Sequence, residues 1–535
     1  STQSRSSAAS DVYKRQVSIV SLMRLQAEDR GTTVNDVGSS PRRWWLLMTV
    51  GAGLLLITLD NSILYTALPT LTADLGASGS STLWIINAYP LVMAGLLLGA
   101  GTLGDRIGHR RMFVVGLWIF GAASLAAAFS PNPAFLIGAR ALLAVGAAAM
   151  MPATLALIRL AFDDPRERNI AIAIWGSLSI AGAALGPILG GALLERFWWG
   201  SVFLINVPVV AIALVATAII APHNHPDPSK KWDLVSSLYA MVGLVGTVLV
   251  IKELAHIPQN WVLIAGALAS AVIGFVLFVR RQGRLEEPLI EFSIFRNRAF
   301  AGGSLAAFFA MFTIAGAQLA TTQRFQLVEG FTPQQAGLLV AAIALGALPS
   351  GVLGAAILHI VGLRIIISGS LAIAALGLAL AVLASANGSL PLLVVSFIVT
   401  GFGLGGTFAV ASAAIMGNAP PRKAGMAASI EEVSYEMGSL SAVALLGSLL
   451  TFVYATVVRL PDGTPAAAGE SIADALGIAD GDLDVIAAAT SAYDTAYLVT
   501  MIVLAVMLAS GAALTNRLLR AYGRGSEAME YAENH

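Results

Sequence analysis

The sequence predicts an all-α membrane protein that crosses the bilayer fourteen times, and three observations predict it. First, the 535 residues are 57% hydrophobic and only 12% charged, whereas soluble domains carry about 25% charged residues. A soluble core could not hide this much apolar surface. Second, the apolar residues fall into runs of about 20, the length that spans a hydrocarbon core. Third, the basic residues alternate between the two sides. With the N-terminus inside, the inner loops collect clusters such as Arg106, Arg110, Arg111, Arg280, Arg281 and Arg284, while the outer loops hold only Arg196, Lys252, Arg324 and Arg459. That asymmetry follows the positive-inside rule and puts both termini in the cytoplasm.

Composition also excludes classes. A net charge of zero argues for no nucleic-acid or acidic partner, and the absence of cysteine removes disulfides, thiol catalysis and cysteine metal sites. The six histidines show no metal spacing; "HNHPDP", with His223 and His225, lies in an inner loop and is attributed to chance. No nucleotide-binding loop is present, so no cofactor and no ATP are expected. The polar start, residues 1–22, lacks a signal-peptide pattern. It is read as artefactual, with Met23 as the natural start of a polar arm.

The spans are expected at 44–68, 83–103, 112–130, 134–158, 169–194, 199–221, 234–252, 261–280, 299–322, 334–358, 363–385, 389–416, 427–454 and 494–515. In the first, "ITLDNSILYTALP" places Asp60 about 16 residues into the run, roughly 24 Å along a helix. A carboxylate at membrane depth costs about 2.5–3.5 kcal/mol even on the lenient insertion scale, and no Lys or Arg in the same span neutralises it. The second span carries Asn87 and ends in "GTLGDRIGHRRMF". Gly101, Gly104, Asp105, Arg106, Gly108, Arg110 and Arg111 fit G-x-x-x-D-R-x-G-x-[RK]-[RK]. Glycines allow the tight turn, and Asp105 is expected to pair with arginines or to cap a helix N-terminus. Arg140, in the fourth span, faces either a cavity or a partner, or snorkels to an interface.

The fifth span reads "GSLSIAGAALGPILGGALLE". Gly182, Gly186 and Gly190 share one helix face, and such a face lets another backbone approach closely. Pro187 and Gly191 add a kink-prone point. Lys252 and Glu253 at the end of the seventh span read as an interfacial ion pair. The long inner loop "RRQGRLEEPLIEFSIFRNR" reads as an amphipathic segment lying on the inner leaflet. The thirteenth span, "AGMAASIEEVSYEMGSLSAVALLGSLL", carries Glu431, Glu432 and Glu436. Glu432 and Glu436 are four apart and share a face. Two carboxylates so placed in low dielectric do not both ionise freely, which suits a proton carrier or a cationic ligand. The alternative is a wet cytoplasmic interface, most of all for Glu431. In the outer loop 455–493, "SIADALGIADGDLDVIAAA" reads as a short surface helix.

Together, "LDNSILYTALP", "LWIINAYPLVMAG", the Asp105 loop, "GPILGGALLE", "FLINVP" and "KAGMAASIEEVSYEMGS" resemble the fourteen-helix drug:proton antiporters of the major facilitator superfamily, especially pumps for quaternary ammonium compounds. The resemblance implies a major facilitator fold of 6+2+6 helices with two pseudo-symmetric six-helix bundles. The cytoplasmic arm would be 1–43, the first bundle 44–221, the linker with two extra spans 222–298, the second bundle 299–516 and the cytoplasmic tail 517–535. It implies export, marked by the Gly182–Gly191 motif. The proton-coupling and substrate roles fall on Asp60, Glu432, Glu436 and Arg140, with Glu431 and Asn87 beside them. The expected partners are protons, small lipophilic cations and the lipid bilayer of the inner (plasma) membrane, with the chain a monomer.

Two departures narrow the implied range. Asn87 and Ala347 stand where some relatives carry acids, so monovalent cations are expected to be favoured over divalent ones. A rival is export of one physiological metabolite or lipid precursor. A membrane enzyme would need a catalytic dyad or metal cluster, and a sensor would need a soluble output domain; the sequence points to neither.

Overall fold

The computed structural model describes residues 40–162, 164–224, 226–229, 232–255, 259–286, 288–419, 424–479 and 481–523. The polar start, His225 of the "HNHPDP" run and most of the tail lie outside the described residues.

Among the described residues, Asn, Ser or Thr side chains cap six of the helix starts. Ser78 accepts from the amide of Ser81 and opens α2 (Gly79–Ile107), which follows α1 (Ser40–Leu75). Gly108 alone separates α2 from α3 (His109–Ala128), at φ 91°, a conformation that favours glycine. Asn132 caps α4 (Pro133–Ala161), with Pro133 at the first helical position. Then come α5 (Pro165–Leu194), the short α6 (Ser201–Leu204) and α7 (Asn206–Ile220). The extra pair is α8 (Leu234–Ala255) and α9 (Trp261–Gln282).

Asn297 accepts from the amides of Ala299 and Phe300 and opens α10 (Arg298–Leu327). Thr332 and Gln335 form a reciprocal cap on α11 (Pro333–Val361). Gly362, at φ 86°, turns α11 directly into α12 (Leu363–Ala386), as Gly108 does in the first half. α13 (Leu390–Gly417) and α14 (Ala424–Ala442) follow, the latter continuing through a π-helical turn at Val443–Gly447 into α15 (Ser448–Val457). The chain ends in α16 (Ile472–Ile478) and α17 (Leu483–Leu518).

Among the described residues, thirteen helical segments, counting α6 with α7 and α14 with α15 as one each, are long and apolar enough to cross a membrane; the remaining expected span falls on α5, whose described apolar stretch is Ala181–Leu194. Within the first half, α3 and α2 pack on α4, and α7 packs on α3. Within the second, α13 is central to α10, α11 and α12, while α17 packs on α10 and α12. Across the halves, α5 packs on α11 and α2 on α14. The α8–α9 pair rests on the α2–α14 seam through a cluster of Leu91, Ala94, Leu244, Val248, Leu440 and Ala444.

After α9 the chain folds back, with Leu289 buried against Leu98, Ala240 and Phe278, while Phe292 and Phe295 further along are exposed. Two expectations are corrected here. The expected surface helix of the outer loop divides in two. Ser471 caps α16, and Asp482 opens the last helix at Leu483, ahead of the span expected from 494. Lys252 and Glu253 make no ion pair among the described residues: Lys252 Nζ lies 5.9 Å from the Trp84 ring centre, and Glu253 accepts from the Asn260 amide at 3.1 Å. Adjacent helical residues point apart, which is the physical reason.

Candidate functional site

Asp60 is fully buried, and so is Arg140. Arg140 Nη1 donates to Asp60 Oδ2 at 2.6 Å. Asn206 Nδ2 donates to Asp60 Oδ1 at 2.9 Å and also reaches Ser124 Oγ at 3.2 Å. Arg140 Nε donates to the carbonyl of Ile85 at 3.4 Å, and its guanidinium carbon sits 4.7 Å from the Tyr89 ring centre. Five helices therefore converge on one buried ion pair: α1, α2, α3, α4 and α7. Arg140 does not snorkel. The neutralising charge for Asp60 comes from a different span, which inspection of the first span alone could not find. Asn206 was not singled out from the sequence; its place between two apolar stretches of the sixth span, at the break between α6 and α7, was the available signal.

The cluster is incompletely satisfied. Arg140 Nη2, Asn206 Oδ1, Asn87 Oδ1 and the Tyr89 hydroxyl find no hydrogen-bond partner among the described residues. Neither does Glu436 Oε2, on α14, and Glu436 lies within electrostatic reach of Arg140. Buried polar groups are normally paired, so these open donors and acceptors set the site apart from the surrounding core.

Beyond Asp60, α1 is fastened to the second half. Thr322 Oγ1 donates to the Tyr65 carbonyl at 3.0 Å, Gln326 Nε2 donates to the Thr66 carbonyl at 3.0 Å, and the Tyr65 and Ser439 hydroxyls meet at 3.3 Å. Toward the other end, a cavity of about 800 Å³ is lined from α2, α4, α5, α14 and the segment after α9. Glu432 lines it, together with Asp105, Arg159, Glu286 and Glu291. Glu431 is buried rather than wet, and accepts from the Tyr435 hydroxyl at 3.2 Å. The three carboxylates of α14 thus separate: Glu432 at the cavity, Glu431 against Tyr435, and Glu436 one turn on, toward Arg140.

The Asp105 loop also differs from expectation. Asp105 pairs with His109 at 2.9 Å, one helical turn on across the Gly108 break, rather than with an arginine. Arg106 is exposed. Arg110 donates to the Ala218 carbonyl at 2.9 Å, and Asn224 clasps the turn, donating to the Ile107 carbonyl at 2.8 Å and accepting from the Arg111 amide at 3.2 Å. Asn224 comes from the "HNHPDP" run attributed to chance. A side chain at Gly108 would meet Asn224, one at Gly104 would meet the His109 ring, and Gly101 faces Ser429 of α14.

The α5 glycines seat that helix against α1 at Thr58, Ser62 and Ile63, the stretch that contains Asp60. A Cβ at Gly182 would strike Thr58, at Gly186 Ser62 and the Ile63 backbone, and at Gly190 Ile63. Ser62 Oγ donates to the Gly182 carbonyl at 3.3 Å. The opposite side meets α11: a Cβ at Gly191 would strike the Gln334 backbone, and one at Gly337 the Pro187 carbonyl. Gly186→Val is therefore expected to force α5 from α1, at about 1–3 kcal/mol or more for an overpacked interface. A lowered thermal midpoint of the purified protein is the expected result. Gly138→Ala, where a Cβ meets nothing within 4 Å, is the neutral control. A Gly186→Val midpoint equal to wild type would contradict the close seating.

Ala347 is buried, its carbonyl close against Gly405 of α13. Among the described residues no group of His, Asp or Glu is placed to hold a metal ion.

A profile of the Major Facilitator Superfamily matches residues 50–322 and 299–460. The chain is 36% identical over 496 residues to the multidrug efflux pump LfrA of Mycolicibacterium smegmatis, covering 90% of this chain and 97% of that one. It is 36% identical over 432 residues to the methyl viologen resistance protein SmvA of Salmonella typhimurium, covering 79% and 86%. Among solved structures, an inward-facing bacterial homolog of the human lysosomal transporter Spinster matches with a TM-score of 0.62 at 16% identity, covering 90% of this chain and 99% of that chain. At that identity the likeness concerns the fold alone.

Proposed function

Since this chain belongs to the Major Facilitator Superfamily, and is a multi-pass transporter rather than an enzyme, we propose that it is a proton-coupled antiporter that exports lipophilic, mainly monovalent cationic drugs and quaternary ammonium compounds. Its relatives are drug efflux pumps; the proton, the cation class and the direction are the finer claims. On this reading it works as a monomer in the cell's inner (plasma) membrane, with both termini in the cytoplasm and the large cavity open toward the cytoplasm.

The observation that carries the proposal is the buried Asp60–Arg140 pair beside Glu436. One guanidinium nitrogen of Arg140 is already on Asp60, and another is open. A proton arriving on Asp60 weakens its hold, and Arg140 then turns toward Glu436 on the other half of the molecule. Proton transfer becomes a change in contact between the halves. Glu432, in the cavity wall, offers the charge that a cation would meet. The membrane potential supplies roughly 2.3 kcal/mol per charge per 100 mV.

The test is transport in everted vesicles energised inside-acid. Ethidium should accumulate, an uncoupler should abolish the uptake, and removal of ATP with the gradient maintained should not. ATP-dependent uptake that survives the uncoupler would overturn antiport. Methyl viologen, the dication in the name of one relative, is the demanding second probe. Asn87 and Ala347 lead us to expect poorer transport of it than of ethidium, and equal transport of both would remove the monovalent preference.

A further inference from the structure

We infer that Gln282 and the extra α8–α9 pair hold a wall of the substrate cavity, the stretch carrying Glu286, Pro288, Leu289 and Glu291, and so set how cations are admitted; this rests on the export reading above. Gln282 ends α9 and is buried, at 3% exposure. Its Oε1 accepts from the amides of Leu289 at 2.7 Å and Ile290 at 3.2 Å, and its Nε2 donates to Ser236 Oγ at 2.7 Å. Ser236 in turn donates to Asp233, which Arg281 grips through Nε and Nη2, the latter at 2.9 Å. Burial opposes the charge on Asp233, yet the hydrogen bonds from Arg281 and Ser236 hold its carboxyl below the usual range. The start of α8, the end of α9 and the returning chain are thus one hydrogen-bonded knot.

The far side of the same stretch is fixed by apolar contact. Leu289 is buried against Leu98 of α2 and Phe278 of α9, with Val433 of α14 packed on the cluster. The Glu291 amide points at Met426 Sδ, 3.4 Å away. Between these fastenings the stretch lines the same cavity as Glu432. A passive tether joining two bundles needs no buried glutamine with both polar atoms engaged. Neither α8 nor α9 itself lines this cavity, so the pair acts on it through the wall. The lining holds more carboxylates (Asp105, Glu286, Glu291 and Glu432) than basic groups (Arg159 and His109), which suits cationic ligands. Gln282 is a positioning residue, acting through the backbone that it holds.

The chain's lack of cysteine makes a clean test possible in everted vesicles bearing the full chain. Glu286→Cys should react with a membrane-impermeant maleimide, more slowly with ethidium present and several-fold faster when combined with Gln282→Met, which removes both hydrogen-bonding atoms. Gln282→Met alone should raise the KM for ethidium several-fold with Vmax little changed. Gln282→Glu keeps the acceptor for the two amides and should restore a near-wild-type KM. Equal labelling of position 286 with and without Gln282→Met, no protection by ethidium in vesicles that pump it, or Gln282→Glu behaving like Gln282→Met would each overturn the wall. Wild-type vesicles that take up no ethidium would instead sink the export reading, while the comparison of labelling rates still decides the wall.

Discussion

Asp60→Asn is expected to abolish gradient-driven ethidium uptake, to the level of vesicles that lack the protein. The substitution keeps the size of the side chain and removes the charge that Arg140 Nη1 meets at 2.6 Å. It also leaves a fully buried guanidinium without its counter-charge, and breaking a buried pair from one side costs about 3–5 kcal/mol. Asp60→Asn alone therefore mixes two effects, because less folded protein also means less transport. The double variant Asp60→Asn/Arg140→Gln separates them. It takes both charges out together, and replacing a buried pair by neutral groups is far less destabilising than orphaning one charge. Folded protein should then return toward the wild-type amount while coupled transport stays absent. If the double variant folds and pumps like wild type, the pair is structural and the coupling role assigned to it is wrong. Asp60→Glu, which keeps the charge on a longer arm, should retain part of the activity.

The sequence made the members of this cluster visible but not their pairing. Asp60 and Arg140 each stood out as charges inside apolar runs. They are 80 residues apart in different helices, and helical periodicity carries no information about which spans touch. Asn206 was less visible still, because a neutral amide barely perturbs an apolar run. Spacing does reveal local pairs: His109 lies four residues beyond Asp105, a spacing that pairs side chains on a helix. The start of α17 was hidden by its own cap, since the acidic run around Asp482 and Asp484 reads as loop until Asp482 is seen accepting from the amides at 484 and 485. The fold followed from apolar runs and glycine spacing; the site required contacts between distant parts of the chain.

Glu436→Gln is the companion experiment, and its result should differ in kind from that of Glu432→Gln. Glu436 is buried, with Oε2 unpartnered and Arg140 within electrostatic reach. Glutamine preserves the shape and one acceptor but cannot hold the charge that is proposed to draw Arg140 across from Asp60. Because the Asp60–Arg140 pair remains intact, folding should be little changed, and the protein should stay with Arg140 on Asp60. Uphill uptake driven by the proton gradient should be lost, while ethidium still binds. Glu432 instead lines the cavity. Glu432→Gln removes the charge that, on the proposed reading, a cation would meet directly. Its expected signature is a raised KM for cations, with a smaller effect on an uncharged substrate and with coupling preserved at saturating ligand. Measuring ethidium binding and gradient-driven uptake on the same preparations distinguishes the two. Loss of binding in Glu436→Gln with intact coupling in the residual transport would exchange the roles of the two residues. Wild-type uptake in Glu436→Gln would remove α14 from the coupling path and leave Arg140 with Asp60 as its only carboxylate.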